Sequence, residues 1–167
     1  MSFSRISASL VALCFSVTAA MADEVVLDPQ TFATNIGSGN EFEIKSSQLA
    51  LNTSMNADVI AFAKMMVEDH QKSEKDLVEA ARQANITVPT GMLPRDEDQY
   101  TPLTTLSGKA FDDAYLAAQV NVHTNTWGLL VNYSKTGTAP SLATFAAVTA
   151  PLVQMHLERA TQLAAVH

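Results

Sequence analysis

The sequence predicts an all-α protein built as a four-helix bundle. Three observations carry that expectation. Apolar residues recur at three- and four-residue spacing through four long stretches. No stretch alternates apolar and polar residues as a half-buried strand would. Short turns join the first two stretches and the last two, while 20 residues holding three prolines separate the pairs.

The chain begins with a segment that stands apart. Arg5 precedes "ISASLVALCFSVTAA", a run of apolar and small residues that leads into "AMA". A positive start, a short apolar run and an A-x-A site read as a secretory signal peptide over residues 1–22, cut before Asp23. The run is shorter than the ~20 residues a spanning helix needs, so no stable membrane insertion is expected after cleavage. Residues 23–167 then form one domain, long enough to bury a proper core. Cys14, the only cysteine, leaves with the leader, and export without disulfides suits a bacterial periplasmic protein. Losing the leader removes Arg5 and no acid, so the formal charge moves from −7 to −8. No basic cluster occurs, which argues against nucleic acid or anionic lipid as a partner. A protein partner is not identifiable from these residues.

The first helix is expected over 29–52. Pro29 suits a first-turn position, and Phe32, Ile36, Glu43 and Ala50 share a stripe. "GSGN" at 37–40 weakens it, since each glycine inside a helix costs about 1 kcal/mol against alanine. It marks either a kink or a close backbone approach. The second helix follows Asn56, a good N-cap, and runs to about Asn85. Its later half carries Lys72, Glu74, Lys75, Asp76, Glu79 and Arg82, a solvated face with (i, i+3) and (i, i+4) pairs.

The connector "ITVPTGMLPRDEDQYTPLTT" is expected to be structureless, because Pro89, Pro94 and Pro102 oppose a regular helix through it. A loop this long makes sense if it travels the length of a bundle. Extended, it reaches roughly 66 Å, against about 45 Å for a 30-residue helix. The third helix starts at Ser107 and runs to about Lys135. "KTGTAPS" is a tight turn. The fourth runs from Pro140 to the end, with Pro151 expected to kink it. Two antiparallel hairpins and one long crossover make the bundle ferritin-like.

Each helix carries one ionisable residue on its apolar stripe. Glu43 lies on the first and His70 on the second, with Val59, Ala63, Met66 and Leu77. His123 lies on the third with Leu116, Val120, Trp127 and Leu130, and His156 on the fourth with Phe145, Leu152, Val153, Ala160 and Leu163. At about 100° per residue most of these neighbours fall within about 60° of the polar one. Counted from the turns at about 1.5 Å per residue, each hairpin brings its two residues to nearly one level. Burying Glu43 as an unpaired carboxylate would cost several kcal/mol. Two arrangements avoid that: Glu43 accepts hydrogen bonds from the imidazoles, or all four residues bind a metal. Neutral imidazoles with one carboxylate suit zinc, copper, iron or nickel.

Asp69 lies about 100° from His70, at the edge of the face. It is placed as an outer partner or in solvent, and less readily as a further ligand. Glu74, the other candidate for an outer partner or further ligand, is one turn from His70 and only about 40° away, but it joins the charged run. Asp112 and Tyr115 open the third helix. Asp112 is about 16 Å from His123 along the axis, too far to share its metal, and its charge favours the helix N-terminus. Tyr115 is expected in the core with its hydroxyl hydrogen-bonded. Met55, Met65 and Met66 read as core residues before copper ligands. His167 has no assigned role. No phosphate loop or nucleophile motif stands out.

The stretches "EIKSSQLA" from Glu43, "VIAFAKMMVEDHQKSEKDL" from Val59, "LSGKAFDDAYLAAQVNVH" from Leu106 and "APLVQMHLERA" from Ala150 resemble a bacterial family catalogued as domain of unknown function 4142. They come in that family's order and span nearly all of the chain beyond residue 22. The resemblance implies an exported ferritin-like bundle, matches family positions at Glu43, Asp69, His70, Asp112, Tyr115, His123 and His156, and implies no established activity. Di-iron ferritin-like proteins use Glu-x-x-His pairs, and this chain has none at His70 or His156. A two-iron ferroxidase is not expected. Three functional readings remain: a periplasmic bundle holding zinc, copper or iron for metal handling or oxidative stress; a metal-free interaction or stress protein with a structural Glu/His cluster; and a redox enzyme using a single metal.

Overall fold

The computed structural model describes residues 26–167, so the signal peptide expected over residues 1–22 lies outside the described residues. Five helices and no strand occur among them: α1 Pro29–Thr53, α2 Ala57–Gln83, α3 Pro94–Leu103, α4 Gly108–Thr136 and α5 Pro140–Val166. Helices α1, α2, α4 and α5 form the four-helix bundle.

Local chemistry sets most of the ends. Asp28 accepts hydrogen bonds from the backbone N–H groups of Gln30 and Thr31, and Pro29 occupies the first turn of α1. Asn56 caps α2 through the N–H groups of Asp58 and Val59. After α2, Asn85 sits at φ 57°, the left-handed conformation that asparagine tolerates. The N–H groups of Asn85 and Ile86 then bond back to Arg82 and Ala81, which terminates the helix. Only residues 54–56 separate α1 from α2, and 137–139 separate α4 from α5, so each pair is an antiparallel hairpin. Helix α1 packs on α2 and α4, and α5 packs on the same two. Pro151 lies inside α5 without interrupting it.

The crossover departs from expectation, because residues 94–103 form a helix. Pro94 takes the first turn, where its missing N–H is not needed, and Asp96 and Glu97 place negative charge there. Helix α3 lies over α1 and α4, with Met92 and Tyr100 packed on Phe42, Ala118 and Val122. The "GSGN" segment is its docking site. A Cβ on Gly37 would fall 2.6 Å from the Val88 side chain, so here the glycine permits close approach. The buried Ser38 hydroxyl donates to Asp96 and accepts from the N–H of Leu93 at 2.7 Å.

The core is divided along the bundle axis. One apolar cluster includes Phe32, Ile36, Leu77, Leu130, Tyr133, Leu142 and Val153. A second includes Ala50, Val59, Phe62, Met66, Phe111, Leu116 and Leu163. Between these positions on every bundle helix lies a buried polar residue: Glu43, His70, His123 or His156.

Candidate metal centre

The four inward residues predicted from the stripes all reach the core. Glu43, His123 and His156 are 1% exposed and His70 is 6% exposed. Their neighbours on each stripe are mostly buried, although Trp127 turns outward and is 36% exposed. The three imidazole centroids stand 5.5–5.6 Å apart. One ring nitrogen from each lies within 4.8 Å of those of the other two.

Hydrogen bonding divides the nitrogens of each ring into two kinds. His70 Nδ1 meets Asn40 Oδ1 at 2.9 Å, His123 Nδ1 meets the Gln119 carbonyl at 2.9 Å, and His156 Nε2 meets Asp69 Oδ2 at 2.9 Å. Each acceptor requires an N–H on that nitrogen and so fixes the neutral tautomer. The remaining nitrogens, His70 Nε2, His123 Nε2 and His156 Nδ1, are buried and have no hydrogen-bond partner among the described residues. Such orphaned acceptors are costly in a protein interior. A ring whose other nitrogen is anchored to a carboxylate or carbonyl is the usual form of a metal-ligating histidine.

Charge at the centre is suppressed. Burial holds the His70 imidazolium well below its ordinary range, and His123 and His156 add like-charge repulsion. Burial and His156 bring His123 down to about 3. His156 is lowered by burial, against the opposing pull of Asp69. Burial also pushes the Glu43 carboxyl well above the usual carboxylate range. Its Oε1 is 3.4 Å from His123 Nδ1, and neither oxygen has a hydrogen-bond partner among the described residues. The sequence left open a Glu43 that accepts hydrogen bonds from the imidazoles. The His123 N–H is instead directed to the Gln119 carbonyl, so that arrangement is at most marginal. Glu43, His70 and His123 line a cavity of about 10 Å³, close to the lower limit for one water-sized occupant.

The flanking candidates take outer places. Asp69 anchors His156 and does not join the converging nitrogens. Glu74 is half-buried: it accepts from Asn40 Nδ2 at 3.1 Å, which places it two bonds out from His70. Tyr115 is fully buried and its hydroxyl meets Ser47 Oγ at 2.8 Å. Asp112 is also buried, away from the histidine centre, with Oδ2 3.5 Å from His167 Nε2. That contact places His167 against α4. Asn40 and Gln119 were not singled out from the sequence. Asn40 did offer a signal, since it precedes Glu43 by three residues and so shares its face.

The model of the family described as Domain of unknown function (DUF4142) matches residues 15–163. The chain belongs to this family. No curated protein matches the sequence. Among solved structures, the fold is similar to CopM in the Cu(II)-bound form, with a TM-score of 0.69 and 14% identity over 83% of this chain and 97% of CopM. It is similar to CopM in the Ag-bound form, with a TM-score of 0.66 and 14% identity over 81% and 94%. It also resembles a putative secreted DUF305 protein from Streptomyces coelicolor, with a TM-score of 0.67 and 11% identity over 79% of this chain and 87% of that one. At these identities the likeness establishes a shared fold. No described helix is long and apolar enough to cross a membrane.

Proposed function

We propose that this DUF4142 protein is an exported metal-binding bundle that holds one transition-metal ion, copper foremost, through His70, His123 and His156. The observation that carries the reading is the convergence of three buried imidazoles, each offering a nitrogen within 4.8 Å of the others and each with one nitrogen anchored and the other unpartnered. An all-imidazole set suits copper, zinc, iron or nickel, and copper heads the divalent affinity series. CopM, which shares the fold, is described with Cu(II), Cu(I) and Ag bound. The family resemblance and the "AMA" leader support a periplasmic setting. Glu43 is the fourth group of the site. A cation nearby would favour its ionised form, so one negative charge would become available where it is needed. The small cavity favours holding an ion over converting a substrate.

The test is metal analysis with thermal melting. The purified protein should take up about one copper ion. Copper at a hundred times its Kd should stabilise the fold by about 2.7 kcal/mol, raising Tm by roughly 5–10 °C. His70→Ala should keep its helicity and lose most of the shift. A wild-type protein that binds no metal and shows no metal-dependent Tm would make the cluster structural, the second reading of the sequence. Metal-dependent redox turnover would instead support the third.

A further inference from the structure

We infer that the ion reaches the histidine centre from a surface groove between α1, α3 and α4, through a passage walled by Gly39 and Thr126. The inference rests on the metal-binding reading above and adds a route to it. The groove has a volume of about 380 Å³ and is lined by Asn35, Asp96, Gln99 and Asn125 among others. Gly39 and Thr126 line this groove, and both also line the small cavity that holds Glu43, His70 and His123. The two spaces therefore meet across one glycine and one threonine. The polar groups along the way include amide, hydroxyl and carboxylate oxygens, which suit a partly hydrated cation, and the Arg95 guanidinium in the same lining is paired with Asp96, its Nε 3.5 Å from Asp96 Oδ1.

Gly39 is otherwise unexplained. It sits inside α1, where glycine is unfavourable, and it does not make the close approach that Gly37 makes to Val88. A Cβ placed on it would meet only the Thr126 hydroxyl, at 4.0 Å. Alanine therefore fits, whereas a longer side chain would project into the space in front of Thr126. The absent side chain keeps the wall between groove and centre thin. Helix α3 forms the outer wall through Asp96 and Gln99, which gives the ordered crossover a part in metal entry.

A blocked passage has a distinctive signature. It raises the barrier for entry and exit equally and leaves the end states alone, so both rate constants fall while Kd holds. Apo protein is mixed with copper in a stopped-flow instrument, and release is followed into excess chelator. Gly39→Leu should slow uptake and release alike by tenfold or more, with stoichiometry and Kd within about twofold of wild type. Gly39→Ala should track wild type. Should Gly39→Leu lose helicity, Thr126→Leu plugs the opposite wall and is read the same way. Unchanged rates in a folded plugged variant would overturn the inference and point to another route, such as past the part-exposed Asp69. A wild type that takes up no copper at all would defeat the metal-binding reading itself, a different result from normal uptake that ignores the plug.

Discussion

Three of the residues at the centre matter less for their own chemistry than for the neighbours that aim them. His70 is held by Asn40, and Asn40 is held in turn by Glu74. Asn40 is a positioning residue, with no contact to the converging nitrogens. Asn40→Leu keeps the approximate volume and removes the acceptor, so the His70 ring loses its fixed tautomer. Metal affinity should fall by roughly 10- to 100-fold, the usual effect of deleting such a partner, with helicity unchanged. Glu74→Gln still offers an oxygen to Asn40 and should change affinity by less than about threefold. A competition titration against a coloured chelator measures both, and equal losses would mean that Asn40 does not act through His70. Helical periodicity was enough to place Glu43, His70, His123 and His156 inside, because an inward stripe is a property of one helix. It was not enough to find Asn40 as the partner of His70, although the Gln119 carbonyl, one turn before His123 on the same helix, lay within its reach. A hydrogen-bond partner across a helix pair depends on the axial register between two chains of residues, and one helix alone does not encode it. Asp69 was placed at the edge of the face by the same geometry, and it is there that His156 finds it.

At the level of elements, the helix starts at Pro29, Asn56, Ser107 and Pro140 were legible because caps and first-turn prolines are local signals. The crossover was misread for the converse reason. Its prolines count against a helix only in the interior, and Pro94 stands at a start. Pro102 comes in the last turn of α3, where it still forfeits one bond to the carbonyl four residues back but leaves no long helix beyond it to break. What tethers α3 is tertiary: Ser38 to Asp96 and Leu93, and Gly37 under Val88. That contact carries a prediction with two opposing terms. Gly37→Ala gains up to about 1 kcal/mol of helix propensity, but its new methyl group meets the Val88 side chain at 2.6 Å. Overpacking of this kind costs about 1–3 kcal/mol, so the single variant should be destabilised by up to about 2 kcal/mol in urea unfolding. Val88→Ala removes the obstacle. Adding Gly37→Ala to that background should be stabilising, a coupling that a double-mutant cycle reads directly. If Gly37→Ala stabilises both backgrounds equally, the crossover does not press on α1.

Across the whole molecule, the apolar clusters supply the folding free energy, and the polar layer between the two largest makes that energy depend on pH. The native state keeps all three core histidines neutral below their ordinary range, while Glu43 keeps its proton above the ordinary carboxyl range. Unfolding restores values near 6.5 for histidine and 4.3–4.5 for glutamate. Each histidine therefore contributes stability above pH 6.5 that is lost as the pH falls, because the unfolded chain takes up a proton the native state refuses. Glu43 has the opposite sign: its contribution is present below about pH 4.5 and is lost as the pH rises. Between those limits three groups oppose one, and unfolding takes up as many as about two protons. At about 1.36 kcal/mol per proton and pH unit, the metal-free protein should lose up to about 2.7 kcal/mol for each unit of acidification in the middle of that window. Over the two units of that window the loss is at most about 5 kcal/mol, so against a typical reserve of about 5–15 kcal/mol acid weakens the metal-free fold steeply without unfolding it above about pH 5. Bound metal delays this loss, since protons must first displace it from the imidazoles. Urea unfolding of the metal-free and copper-loaded forms from pH 7 to 4.5 should give two curves, well separated at neutral pH and converging in acid. A metal-free stability that stays flat or rises on acidification would mean that the three histidines are not held neutral in the core.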